Sequence, residues 1–341
     1  MANRLYRLYR FLQRENVIKL LGVILVIVLG SGYLIASFEP GVSFASGLWW
    51  SIVTLTTVGY GDISPSTAEG RVLAVIIMFF GIGLLGILSA SLASMLITMR
   101  IRENRGMEAS RVRDHIIICE WNYRARAILK ELRSDPQTAE SPIVLIADIE
   151  EKPVDDANLV FVRGVVHEES LTRANLQEAA TVIILGDDAM EATARDAKVV
   201  LTTLTVESLN PQVYSVVELV DKTNEQHCRR ANANEIIVGS ELNSHLIASA
   251  ASDHGISRII SELLSSRYGN ELYSMPVPEQ LVNANFLDAF ISMKSEHNTI
   301  VFGIQKGRGG DFISNPDGGY QLAATDYLLV ISKDRNPRKP R

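Results

Sequence analysis

At 341 residues the chain is long enough for two or three domains. With 47% hydrophobic residues and a mean hydropathy of +0.13, it is too apolar for an ordinary soluble protein and too polar for one wholly embedded in lipid, so the apolar excess must be local. The formal net charge is −6 and the portion beyond Gly106 is acidic, which argues against nucleic acid as a partner.

In chain order, Arg4, Arg7 and Arg10 recur at helical spacing with Leu5, Leu8, Phe11 and Leu12 between them. The pattern predicts an amphipathic helix over residues 1–16 lying on a membrane surface, not a voltage sensor, because gating charges must sit within a span. Leu20 to Phe38 and Val72 to Met99 carry no charge. Each run meets or nearly meets the roughly 20 residues needed to cross a bilayer, which predicts a two-span domain over 17–100. The first run is too long for the apolar part of a signal peptide and is not followed by a small-residue cleavage site. Arg4, Arg7, Arg10, Arg14 and Lys19 precede the first span and Arg100, Arg102 and Arg105 follow the second, whereas Glu39 to Asp62 holds acids and no base. By the positive-inside rule both termini are cytoplasmic and the segment between the spans faces outward.

That segment carries the most specific signal. Ser43 can cap a short helix running through Phe44, Leu48, Trp49, Trp50 and Val53 to Thr56, whose C-terminal partial negative charge favours a cation. Thr56-Thr57-Val58-Gly59-Tyr60-Gly61-Asp62 follows. Repeated about a four-fold axis, carbonyl oxygens of Thr57, Val58, Gly59 and Tyr60 can replace the water of a potassium ion, and Gly59 and Gly61 permit the backbone angles this needs. As a bare tetrapeptide Gly-Tyr-Gly-Asp would be a surface turn. Its place between two spans, behind the uncharged stretch Trp49 to Thr57, makes it a selectivity filter. Trp49 and Trp50 are expected to wedge the filter and touch Tyr60, or to anchor at the lipid interface; both roles can hold. In the second span Gly81, Gly83 and Gly86 each cost up to about 1 kcal/mol relative to alanine, which calls for either close helix packing or a hinge.

Span, pore helix, TTVGYGD filter and second span resemble the two-transmembrane potassium channels of prokaryotes over residues 17–100. The resemblance implies a homotetramer in a prokaryotic inner membrane with potassium ions in the filter. It also implies bending at Gly81 or Gly83, with Gly86 near the intracellular entrance. Where that family often has an acid behind the filter this chain has Val53, leaving the Trp49 indole as the expected partner of Asp62.

After a polar linker, 101–113, short β-branched runs alternate with helical segments. Strands are expected at His115 to Cys119, Ile143 to Asp148, Leu159 to Arg163, Val182 to Leu185, Val213 to Glu218 and Glu235 to Val238. Helices are expected at Tyr123 to Arg133, Leu171 to Leu176, Glu191 to Leu209, Glu225 to Ala231 and Asn243 to Ala251. Alternation of this kind predicts a doubly wound, Rossmann-like parallel sheet. Its nucleotide signals are mixed. Asp148 ends the second strand, where a carboxylate can hold ribose hydroxyls, and Gly164 and Gly186 lie at strand ends. Yet the first turn, with Glu120, Trp121, Asn122 and Arg124, lacks the glycines that let a pyrophosphate approach a helix N-terminus, although Arg124 could supply charge. Cys119 and Cys228 have no ligand cluster near them and read as free thiols.

The order of pore, linker and Rossmann-like sheet resembles channels bearing a regulator-of-potassium-conductance (RCK) domain. On that resemblance, residues 114–268 form the main lobe and 269–335 a small α+β lobe. The latter comprises a strand through Val277, a helix Phe286 to Met293, and strands Thr299 to Ile304 and Tyr327 to Ile331. The fold class is thus mixed: an all-α pore, an α/β domain and an α+β lobe. Ile259, Ile260, Leu263 and Leu264 form an apolar stripe suited either to pairing two such domains or to ordinary core packing. The resemblance implies ligand gating by a nucleotide (NAD, ADP or ATP) or a divalent cation. Positions that hold calcium in archaeal members are here Leu185, Glu218 and Val220, so that site is expected to be absent, while Asp187, Asp188 and Asp221 could join Glu218 in another. Met107 is either an ordinary linker methionine or an internal start supplying free RCK domains, as the resemblance implies for some relatives. A membrane-tethered NAD-dependent oxidoreductase is opposed by the missing glycine fingerprint and a uptake-transporter subunit by the intact filter.

Overall fold

The computed structural model describes residues 17–307 and 309–333; the amphipathic helix expected over 1–16, and residues 334 and 335 of the expected small lobe, lie outside them. The chain divides into two units, Met1–Glu103 and Asn104–Arg341.

In the first unit α1 (Val17–Phe38) and α3 (Ala68–Asn104) flank the short α2 (Phe44–Leu55). Both α1 and α3 are long and apolar enough to cross a membrane. The 37 residues of α3 exceed the expected span at both ends and take in the first residues of the expected linker. Nothing stops the helix sooner, because Arg100, Arg102 and Glu103 are good helix formers and the first glycine is Gly106. Ser43 caps α2 as expected, accepting a bond from the Ser46 amide at 3.2 Å. Two glycines let α1 and α2 cross closely: a Cβ on Gly47 would stand 2.3 Å from the Gly32 carbonyl oxygen. Beside that crossing the Ser31 hydroxyl donates to Ser51 at 2.9 Å. Ile35, Trp50, Ala74 and Ile77 form the unit's core.

The second unit holds a six-stranded parallel sheet in the order β3-β2-β1-β4-β5-β6. Its strands and helices run β1 (His115–Cys119), α4 (Tyr123–Ser134), β2 (Ile143–Ala147), β3 (Leu159–Arg163), α5 (Glu168–Arg173), β4 (Ala179–Ile184), α6 (Ala192–Leu209), β5 (Tyr214–Leu219), α7 (Glu225–Arg230) and β6 (Glu235–Val238). Alternate residues go to opposite faces. Ile117, Cys119, Val144 and Ile146 join one core while Ile118, Ile143 and Leu145 join the other. This is why the strands read as continuous apolar runs. Cys119 and Cys228 are both free and buried.

Several boundaries differ from expectation for physical reasons. The helix expected at Leu171 to Leu176 is α5, which starts earlier because His167 and Ser170 cap each other reciprocally; Leu176 itself opens a separate 3₁₀ turn. The one expected at Asn243 begins at Gly239 as α8 (Gly239–Ser252), running straight out of β6 without a side-chain cap. After α8 and α9 (Ile256–Leu263), a four-stranded antiparallel sheet follows in the order β7-β10-β8-β9. It comprises β7 (Glu271–Pro276), β8 (Ile300–Lys306), β9 (Phe312–Ser314) and β10 (Asp326–Ser332), backed by α10 (Phe286–His297). The strand placed through Val277 is β7, ending one residue before it, and β9 was not anticipated because three residues carry no period. No residue of α9 is buried, so the stripe of Ile259, Ile260, Leu263 and Leu264 lies outside the cores. The polar linker is bonded to the edge of the larger sheet, with Arg163 N–H donating to the Gly106 carbonyl at 3.0 Å.

Candidate functional site

The run from Thr56 to Asp62 hangs from the end of α2. Thr56 caps that helix, its amide and hydroxyl both donating to Ile52 O, the hydroxyl at 2.7 Å. The next turn is pinned by a single acceptor: the carbonyl of buried Val53 takes the amides of Val58 at 3.0 Å and Gly59 at 3.3 Å. Backbone φ is positive at Thr57 (61°), Gly59 (59°) and Gly61 (74°), but not at Val58 or Tyr60. Such alternation in the sign of φ can turn successive peptide groups to a common side, unlike a strand, where they alternate. The Trp49 indole N–H donates to Asp62 Oδ2 at 2.8 Å, and its ring stacks on Tyr60, with centroids 5.9 Å apart and planes 6° from parallel. Trp50 instead is buried in the core with Ile35 and Ala74.

A residue that sequence reasoning passed over joins the ends of the two long helices. Glu39, 5% exposed, accepts from the Ser66 amide (2.9 Å) and hydroxyl (2.6 Å) and from the Thr67 amide (2.9 Å) and hydroxyl (2.6 Å). The Ser66 hydroxyl first, then that of Thr67, holds its carboxyl down at about 2. The signal was present: a lone acid closing an apolar run, and Ser-Thr just ahead of the next helix. Of the three glycines of α3, Gly81 meets close packing, since a Cβ there would lie 3.3 Å from Leu55 of α2. Gly83 and Gly86 have nothing within 4 Å of that position in the protomer.

At the carboxyl ends of β1, β4 and β5 lies a polar crevice. Asn122 caps α4, accepting from the Ala125 amide at 2.9 Å, and its side chain donates to the Gly186 carbonyl at 2.9 Å. Arg124 spans the opening, its Nε 2.7 Å from Glu218 and its terminal nitrogen 2.7 Å from Asp188. Arg195 reaches Asp188 at 3.3 Å, and Lys198 pairs with Glu120 at 2.6 Å and Asp187 at 3.8 Å. The structure thus gathers Glu120, Asn122, Arg124, Gly186, Asp187, Asp188 and Glu218. It leaves Asp148 exposed just past β2 and Gly164, with φ 147°, just past β3. Trp121 packs against the second core and under Arg126. Asp221 serves the backbone, accepting from the Thr223 amide at 2.8 Å. Among the described residues no group of three or more His, Cys, Asp or Glu is placed to hold a metal ion, and Asp187 and Asp188 are paired with Lys198 and with Arg124 and Arg195. Arg195 and Lys198 were missed; their one clue is i, i+3 spacing on α6, which places both on one helix face.

Comparison with known proteins agrees with both units. Residues 22–98 match the ion-channel family, 111–217 the RCK domain of calcium-activated, slowpoke-like potassium channels, and 240–341 the Castor and Pollux family, part of a voltage-gated ion channel. The calcium-gated potassium channel TvoK of Thermoplasma volcanium is 33% identical over 92% of this chain and 90% of its own. YugO of Bacillus subtilis is 31% identical over 91% of this chain and 94% of its own. The solved GsuK channel bound to NAD shares the fold with a TM-score of 0.50 at 19% identity, covering 95% of this chain and 58% of that one, so this chain spans less than two thirds of it. The chain belongs to the potassium channels that join a two-helix membrane pore to an RCK domain, and it is a ligand-gated ion channel, not an enzyme.

Proposed function

We propose that four copies of Thr57, Val58, Gly59, Tyr60, Gly61 and Asp62 close around one axis as the potassium filter, supported by Trp49 and Thr56, with the core residue Trp50 backing the helix. The observation that carries this reading is the alternation of positive φ at Thr57, Gly59 and Gly61, which suits a column of carbonyls that stands in for a hydration shell. In this reading the protein is a homotetramer in a prokaryotic inner membrane. Both termini are cytoplasmic, Gly83 and Gly86 give α3 its freedom to bend, and Gly81 supports the packing of α2. Free RCK domains from a start at Met107 would add to the ring. Purified protein in planar bilayers should pass potassium far better than sodium; equal permeation would overturn the filter assignment.

The regulatory ligand enters the crevice and acts by exchanging with the ion pairs of Arg124. A nucleotide fits better than a bare divalent cation. Glu218, Asp187 and Asp188 already have cationic partners, and a nucleotide brings phosphates that those same cations can take over. Asp148 remains the carboxylate for ribose hydroxyls. Adding calcium, NAD, ADP and ATP singly to the cytoplasmic face tests this: the reading expects a nucleotide to change open probability, and a response to calcium alone refutes it.

A further inference from the structure

Helix α3 does not hand over to a slack tether. The carbonyl of its last residue, Asn104, accepts from the Lys152 amide at 2.8 Å. Two residues on, the buried Gly106 turns with φ 62°, and its carbonyl takes two donors: the Arg163 amide at 3.0 Å and the Arg173 guanidinium at 2.5 Å. The same guanidinium donates to the Arg163 carbonyl at 3.0 Å, so one side chain bridges the linker and the end of edge strand β3. Further along, the Ser110 amide donates to the Arg173 carbonyl at 2.7 Å, the Asn175 side chain to the Val112 carbonyl at 2.8 Å, and the Asp114 amide to the Glu178 carbonyl at 2.8 Å. Val112 packs against the first core of the sheet.

Only glycine fits the bend. A Cβ at Gly106 would stand 2.4 Å from the Arg163 amide nitrogen and 2.8 Å from Phe161 Cδ1, besides straining a positive φ. A flexible connector dissipates a pull as chain entropy, whereas one bonded along its length carries displacement. From this geometry we infer that Gly106 and Arg173 couple the RCK unit to the pore: they fix the end of α3 to the sheet edge, so that a shift of β3 and α5 moves the helix. The role is one of positioning, since neither residue touches ion or ligand, and it rests on gating of the pore by the RCK unit.

The test uses the full chain in planar bilayers, with calcium, NAD and ADP applied singly. Arg173→Gln and Gly106→Ala should keep wild-type conductance and potassium selectivity. Their ligand-dependent change in open probability should fall by about fivefold or more, the scale of a typical coupling free energy. Arg173→Lys, which keeps one charged donor, should retain part of the response. Thermal stabilisation by the same ligand should be unchanged in all three, separating lost coupling from lost binding. Wild-type ligand response in Arg173→Gln overturns the inference. Should none of the three compounds move the wild type, the ligand assignment fails by itself. The clasp is then judged on resting open probability, which must differ from wild type in Arg173→Gln and Gly106→Ala; identical resting values overturn it.

Discussion

Residues 56–62 keep their shape through partners no more than 13 positions away, whereas the crevice is closed by side chains up to 94 positions apart, the separation of Arg124 and Glu218. The first arrangement is local and mostly main-chain, and its one charged group, Asp62, is held by the neutral Trp49 indole. The second is made of ion pairs between partly exposed groups, each individually worth little in water and replaceable by a competing charge. On the proposed function, conduction is thereby built to be constant and regulation to be exchangeable.

The sharpest way to break that contrast is Gly59→Ala. A left-handed alanine costs roughly 1–2 kcal/mol in each subunit, and it disturbs the alternation that aims the carbonyls. Potassium current should disappear while the protein still purifies as the same oligomer; wild-type conductance would show that the backbone account is wrong. Next in size is Arg124→Gln, which releases Glu218 and leaves Asp188 with Arg195 alone. It should shift the concentration of nucleotide needed for half-maximal response by about fivefold or more and leave selectivity alone. An altered potassium-to-sodium ratio would mean that the two regions are not independent. Gly83→Ala should give α3 up to about 1 kcal/mol of helix propensity and thereby lower open probability if the helix bends there. Single-channel records with unchanged open probability would reject a hinge at Gly83.

The smallest effect concerns pH. His115 is fully buried, its Nε2 donating to the Ala174 carbonyl at 2.9 Å while Nδ1 has no partner, and burial pushes its pKa below the ordinary value. A depressed histidine contributes its full stability above the unfolded pKa near 6.5 and loses it as pH falls below that value. Glu39 has the same sign in a lower window, because a carboxyl held at about 2 keeps its contribution at every pH above the ordinary carboxylate region. Thermal unfolding from pH 7.5 to 5 should therefore weaken in the wild type and less so in His115→Gln. Equal slopes would show that His115 titrates alike in the folded and unfolded states.

Much of the fold was legible because its signals are local. The filter heptad, the Ser43 cap and the β-branched runs of β1, β3 and β6 state their own structure within a few residues. The long helix α3 was under-read because its charged last turns looked like linker, although charged residues are good helix formers. The crevice was only half legible. Glu120, Asp188 and Glu218 could be placed at strand ends, but Lys198 and Arg195, which meet Glu120 and Asp188, arrive from α6, and no periodicity announces which cation will meet which acid. Glu39 was overlooked for the same reason: its four donors come from a turn on the far side of the filter.

Gly81 sets where movement of α3 can begin. Because its Cα face lies against Leu55, the foot of the pore helix, α3 meets α2 at that level, where a Cβ would come within 3.3 Å of Leu55. Freedom starts only beyond it, at Gly83 and Gly86. In the proposed reading that contact is a firebreak: strain arriving from the far end of the helix would be spent before it reaches residues 57–62, so a gate could swing without loosening the sieve.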